Sequence, residues 1–198
     1  MIEMLARVPK ITQSLASLAF ESKQLYGIRH GEAWHNVMYD RDGPSAYSTW
    51  VDTSLTAKGL QQAASAAVPD VELVLVSPLT RALQTAALMY PNVPQIALEA
   101  LKEYPQTKQV CNRRSSKSAL MRCFPRVNFD DLAEEEGRWP NPQCNPTMNK
   151  AVVDVLVAGR PEQRIAIVAH SSWLKHYMGK GLAETPELDH CVAYALDA

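Results

Sequence analysis

The chain has 198 residues with 20 Lys and Arg against 21 Asp and Glu, a formal charge of −1. That balance excludes a whole-protein attraction to nucleic acid or to an anionic membrane, so any anion binding must come from a local cluster. Composition, 46% apolar and 21% charged, is that of an ordinary globular domain, and no run approaches the roughly 18 apolar residues of a membrane-crossing helix.

In chain order, Met1 to Phe20 carries Arg7, Lys10 and several serines, a weak likeness to an organelle transit peptide that Glu3, Pro9 and Glu21 oppose. Residues 1–22 are therefore read as an N-terminal extension holding a short surface helix, with organelle targeting as the alternative to a cytoplasmic location. Gln24 to Ile28 is a short apolar strand that runs into Arg29-His30-Gly31. Thr56 can cap a helix from Ala57 to Ala67, stopped by Pro69. Val71 to Val76 is a buried strand ending at Ser77-Pro78, and Thr80 to Tyr90 is a helix stopped at Pro91.

Ile96 to Leu98 reads as a brief strand. Tyr104 to Pro146 sustains no period and reads as a long insertion. Thr147 can cap a helix to about Ala158, Arg164 to Ala169 is another apolar strand, and it ends at His170-Ser171-Ser172. A helix from Trp173 to Met178 and a strand around Cys191 to Leu196 follow. Strands separated by helices imply a single three-layer α/β/α domain over 23–198, with a mostly parallel central sheet and the 104–146 insertion over the site. The cysteines, Cys111, Cys123, Cys144 and Cys191, contain no CxxC pair, which argues against zinc and fits reduced thiols.

Polar residues fall where such a fold binds ligands, beyond the carboxyl ends of the strands. Three strand exits carry Arg29-His30, Ser77-Pro78 followed by Arg81, and His170. A phosphoryl group in transfer spreads negative charge over its equatorial oxygens, so catalysis is mainly positioning and charge stabilisation. Arg29 and Arg81 can each engage two oxygens in a planar fork. A neutral His30 is a competent nitrogen nucleophile near pH 7. No clustered carboxylates sit beside these histidines to hold magnesium, so neither metal nor cofactor is expected.

R-H-G-E-A-W-H-N (29–36), D-T-S-L-T-A-K-G-L-Q-Q-A (52–63), S-P-L-T-R-A-L-Q-T-A (77–86), L-K-E (101–103) and A-H-S-S (169–172) together resemble the histidine phosphatase, or phosphoglycerate mutase-like, superfamily. The blocks stand in that family's order across nearly the whole chain. The resemblance implies that His30 attacks phosphorus and that Arg29 and Arg81 clamp the phosphoryl oxygens. It implies that His170, as the imidazolium, stabilises the transition state, and that Glu103 is the general acid and then the base for water. Asn36 matches the family's asparagine as a phosphate contact, and Ser171 can offer its backbone N–H. Ala33 departs from the family's usual Ser or Thr, and Ala169 from its usual glycine. Trp34, His35 and His176 are expected in packing or surface roles.

Within the insertion, Lys108, Arg113, Arg114, Lys117, Arg122 and Arg126 form a basic run without an acid, followed by five acids from Asp130 to Glu136. Arg113 and Arg114 are candidates to hold a second anionic group of the substrate, against a reading in which the loop pairs its own charges. The chain ends at Ala198, just past the last predicted strand, whereas family mutases carry a C-terminal tail that keeps water out. Water is therefore the expected phosphoryl acceptor, with a small phosphorylated metabolite or phosphoamino acid as substrate. A phosphoglycerate mutase-type transfer and a non-catalytic phospholigand binder are the alternatives.

Overall fold

A computed structural model describes residues 23–106, 109–137, 139, 141, 144–181 and 186–197. The expected N-terminal extension and Lys108 lie outside them. Among the described residues the sheet has six strands: β1 (Gln24–Arg29), β2 (Leu73–Val76), β3 (Gln95–Ala97), β4 (Val127–Asn128), β5 (Arg164–Ala169) and β6 (Ala193–Leu196), in the order β4-β3-β2-β5-β1-β6. All neighbours pair in parallel except β6, which runs antiparallel to β1. The fold is the mixed α/β architecture that the alternation of strands and helices implies.

The central strands β2 and β5 are apolar at every position but Arg164, the first residue of β5, because both faces are covered. Side chains alternate across the pleat. Val74, Val76, Ala166 and Val168 point into one cluster, with Ala82, Leu83, Ala86 and Leu120. Leu73, Leu75, Ile165 and Ile167 point into the other, with Val153, Val157, Trp173 and Leu174. The helices are α1 (Trp34–Asp42), α2 (Ala46–Thr49), α3 (Ala57–Ser65), α4 (Thr80–Met89), α5 (Lys117–Cys123), α6 (Pro146–Ala158) and α7 (Ser171–Tyr177).

Thr56 caps α3 as expected, its hydroxyl accepting from Gly59 N at 3.0 Å. For α6 the cap is Asn145 rather than Thr147. Its Oδ1 accepts from Thr147 N and Met148 N, and Pro146, with φ already set, takes the first helical position. No element is expected from the sequence at α1, whose sole buried residue is His35, so no apolar stripe marks it. The insertion is also more ordered than expected: it contains α5, capped by Ser116, and the short edge strand β4. All four cysteines are free thiols, and no helix among the described residues is long and apolar enough to cross a membrane.

Candidate active site

Because β1, β5 and β2 are parallel, their carboxyl ends share one edge of the sheet. The register places Arg29 beside Ala169 and Val76 beside Val168. The ladder then continues one residue further: His30 N donates to Ala169 O at 3.1 Å and Ser77 N to Val168 O at 3.0 Å. His30, His170 and Ser77 thus leave the sheet at one level. Gly31 is required by a close backbone approach, since a Cβ there would stand 2.7 Å from Gly59 O. Its N–H donates to Thr85 Oγ1 at 3.0 Å, and that hydroxyl donates to Arg81 O at 2.8 Å. The Arg-His-Gly turn is thereby tied to the helix that carries Arg81.

The hydrogen bonds of His30 define its tautomer. Arg81 Nε can only donate, and it lies 3.2 Å from His30 Nε2, so Nε2 carries a lone pair. The proton therefore sits on Nδ1, which donates to Gly31 O at 2.7 Å. His30 is buried, and burial first, then the positive field of Arg81, holds its pKa well below 6.5. The ring is a neutral imidazole with its free nitrogen against a guanidinium.

Arg81 is buried and meets only neutral acceptors: besides His30, Cys111 O at 2.8 Å and Asn112 Oδ1 at 3.0 Å. No carboxylate among the described residues lies at ion-pair distance from it. Arg29 donates to Leu188 O at 2.6 Å and sits 3.5 Å from Glu187, while its buried Nε has no partner. Glu103 lies across the start of α7: its carboxylate accepts from Tyr104 N at 3.0 Å and from Ser172 N and Trp173 N at 3.2 Å each. Burial raises its pKa, and those N–H groups and Arg81 only partly oppose the rise.

His170 packs edge-on to His30, ring centroids 5.1 Å apart, with Nε2 2.8 Å from Ser77 Oγ and a buried Nδ1 without a partner. Burial and then Arg81 hold it neutral. The imidazolium expected from the sequence is disfavoured by the protein's own groups, and only an adjacent anion reverses that field.

These residues surround a cavity of about 160 Å³ whose wall includes Arg29, His30, Asn36, Arg81, Glu103 and Ser171. His170 lies behind the wall. Asn36 Oδ1 is engaged by Ala33 N at 3.0 Å, and Ser171 Oγ accepts from Leu188 N at 3.4 Å. Arg113 and Arg114 do not reach the cavity. Arg114 is buried in a bond from Nε to Glu99 at 2.8 Å, with its Nη groups on the carbonyls of Ser115 and Ala133. Arg113 is exposed and faces Glu136 at 3.8 Å. Arg114 is paired with Glu99, ahead of the insertion, and Arg113 with Glu136 within it, and the insertion contributes Tyr104, Pro105, Cys111 and Asn112 to the wall instead.

Two histidines were not singled out for the site from the sequence. His35, expected in a packing or surface role, is buried on the cavity wall, its Nδ1 2.6 Å from Thr53 Oγ1 and its ring 5.7 Å from that of His30. His190 donates from Nδ1 to His30 O at 2.5 Å. No local pattern marks His190, whereas His35, beside Asn36 in the W-H-N run, had a signal in its neighbour. Among the described residues no group of three or more His, Cys, Asp or Glu is placed to hold a metal ion.

A mostly parallel α/β domain with two histidines and two arginines converging at its strand ends defines a narrow class of proteins. The sequence profile of the histidine phosphatase superfamily (branch 1) matches residues 25–111, and over those residues the chain is similar to that superfamily. A phosphoglycerate mutase-like protein of Arabidopsis thaliana is 28% identical over 202 residues, spanning 77% of this chain and 72% of that protein. The fold is shared with the alpha-ribazole phosphatase from Shigella flexneri (TM-score 0.57, 23% identity, 88% of this chain and 90% of that one). It is also shared with the ecdysone phosphate phosphatase from Bombix mori, solved in complex with tungstate (TM-score 0.61, 16% identity, 89% of each chain).

Proposed function

We propose that this protein is a metal-independent phosphatase that hydrolyses a small phosphorylated substrate through a phosphohistidine on Nε2 of His30. The observation that carries the reading is that Nε2 lone pair, held on a neutral ring 3.2 Å from a buried guanidinium that has no carboxylate partner among the described residues. A phosphoryl group answers both features, an electrophilic phosphorus for the nitrogen and anionic oxygens for the cation.

In the first step the N–P bond forms as the bond from phosphorus to the ester oxygen breaks. Arg81 and Arg29 take the phosphoryl oxygens, the Arg81 Nε–H passing from the ring nitrogen to an oxygen. Glu103, whose pKa burial raises, gives its proton to the departing oxygen. Water then attacks phosphorus, Glu103 takes the proton of that water, the N–P bond breaks, and phosphate and neutral His30 are restored. Asn36 and the Ser171 N–H add donors at the wall, and the incoming dianion draws a proton onto His170. His190 and the β5 ladder fix the His30 backbone from two sides, so the ring keeps its aim.

The test is p-nitrophenyl phosphate hydrolysis in excess EDTA by the natural protein and by His30→Ala. Turnover persists in EDTA and falls by about 10⁴-fold or more in the variant. Activity that survives the substitution contradicts the nucleophile, and activity lost to EDTA contradicts the metal-free reading. Interconversion of phosphoglycerates without phosphate release would assign the acceptor to a second hydroxyl rather than to water.

A further inference from the structure

At about 160 Å³ the cavity is well below the roughly 300–1,000 Å³ of pockets that enclose a whole small molecule. Its floor takes a phosphoryl group, and the rest of a substrate must lie along the mouth. His35 and Tyr47 on its wall begin a file of rings leading away from the nucleophile. His35 lies 5.7 Å from His30, Tyr47 lies 5.8 Å from His35, and Tyr39 stacks on Tyr47 at 5.0 Å with 17° between the planes. Tyr39 ends the file in solvent at 42% exposure. Tyr104, Pro105 and Gln109 also line the wall.

Charge at the mouth is equally specific. Arg29 and Arg81 are the Lys or Arg side chains on the wall among the described residues, and Arg81 belongs to the floor. Arg29 already faces Glu187, itself on the wall and largely exposed. His35 is kept neutral by burial and by the two arginines. Among the described residues of the wall, a second anionic group on a substrate would meet Glu187 and tyrosine rings, and no Lys or Arg beyond the two arginines to replace its water. A flat apolar group would meet faces and edges suited to offset stacking.

We propose that the physiological substrate is a small aryl phosphate: a phosphomonoester whose alcohol part is flat, uncharged and aromatic, stacked along Tyr47 and Tyr39, rather than a phosphorylated sugar acid. The proposal rests on the reading of the floor as a phosphoryl site. Stacking explains why α1 presents polar and aromatic side chains without an apolar stripe, since its inner face belongs to the cavity wall and the Tyr39–Tyr47 pair.

Aryl phosphates are also intrinsically better leaving groups, so the discriminating measurement is affinity. Calorimetric titration of His30→Ala with 1-naphthyl phosphate, glycerol 3-phosphate, 3-phosphoglycerate and inorganic phosphate separates binding from turnover. The aryl ester binds about tenfold or more tighter than either three-carbon ester. Adding Tyr39→Ala, at an exposed position, lowers the naphthyl-to-glycerol affinity ratio several-fold, and Tyr39→Phe, which keeps the ring, preserves it. Equal or tighter binding of 3-phosphoglycerate, or a ratio that Tyr39→Ala leaves unmoved, overturns the aromatic mouth. If inorganic phosphate and all three esters fail to bind, the phosphoryl floor itself is wrong.

Discussion

Arg81 and Arg114 are both buried arginines, and they serve opposite ends. Arg81 stands at the strand exits, where its donors meet an imidazole nitrogen, a carbonyl and an amide oxygen. Arg114 stands in the insertion, where a carboxylate at 2.8 Å answers its charge and loop carbonyls take its other donors. Lys102, also buried, is answered by Glu99 and Glu136. Burial of a cation does not mark an anion site; burial without a carboxylate partner does. The same contrast separates a region arranged for an incoming charge from one already neutral and devoted to holding the loop.

Arg81→Met breaks the comparison at its strongest point. It removes a buried uncompensated charge, so thermal stability changes little, while kcat/KM falls about 10³-fold in a phosphatase assay. An activity loss that merely tracks a large fall in Tm makes Arg81 structural. Glu103→Gln keeps one oxygen acceptor for the α7 N–H groups but cannot protonate a leaving oxygen. Turnover of an alkyl phosphate falls about 10²-fold, and turnover of p-nitrophenyl phosphate, whose oxygen leaves readily, falls less. Equal losses on both substrates place Glu103 outside proton transfer.

Arg114→Met reverses the pattern. It strands the loop carbonyls and Glu99, costing about 2 kcal/mol, or roughly 6 °C in Tm, while kcat/KM stays within about twofold. A catalytic defect at preserved stability would return Arg114 to the substrate. Acid gives the smallest effect. His30, His35, His170 and His190 all have folded pKa values below the ordinary 6.5. As pH falls through 6.5 the unfolded chain takes protons that the folded one refuses, so stability declines on the acid side. Glu103, with its folded pKa raised, works the other way as pH falls towards it, one group against four. Tm therefore drops by several degrees between about pH 7.5 and about pH 5.5, and bound phosphate, by favouring protonated His170, reduces the drop. A Tm that is flat or higher in acid contradicts the neutral histidine cluster.

The site floor was legible because it rests on regular structure. Continuous apolar runs at Leu73–Val76 and Ile165–Ala169 admit few arrangements other than central parallel strands, and parallel strands bring their exits to one edge. What lay in irregular backbone was not legible. Arg113 and Arg114 are adjacent in sequence with the same chemistry, and only the fold buries one against Glu99 and leaves the other exposed beside Glu136. His35 sits on a helix without an apolar stripe, so its burial has no local signature. His190 reaches His30 through an isolated bridge to Arg29 just ahead of β6, a long-range pairing that no local pattern contains.

The central claim is that His30 Nε2 accepts a phosphoryl group. Rapid quenching of the protein during turnover of a ³²P-labelled aryl phosphate, followed by mapping of the label, tests it most directly. The account predicts acid-labile label on the peptide containing His30, absent in His30→Ala and accumulating further in Glu103→Gln with an activated substrate, whose second step has lost its base. Turnover without label on the protein, or label on another residue, would contradict it.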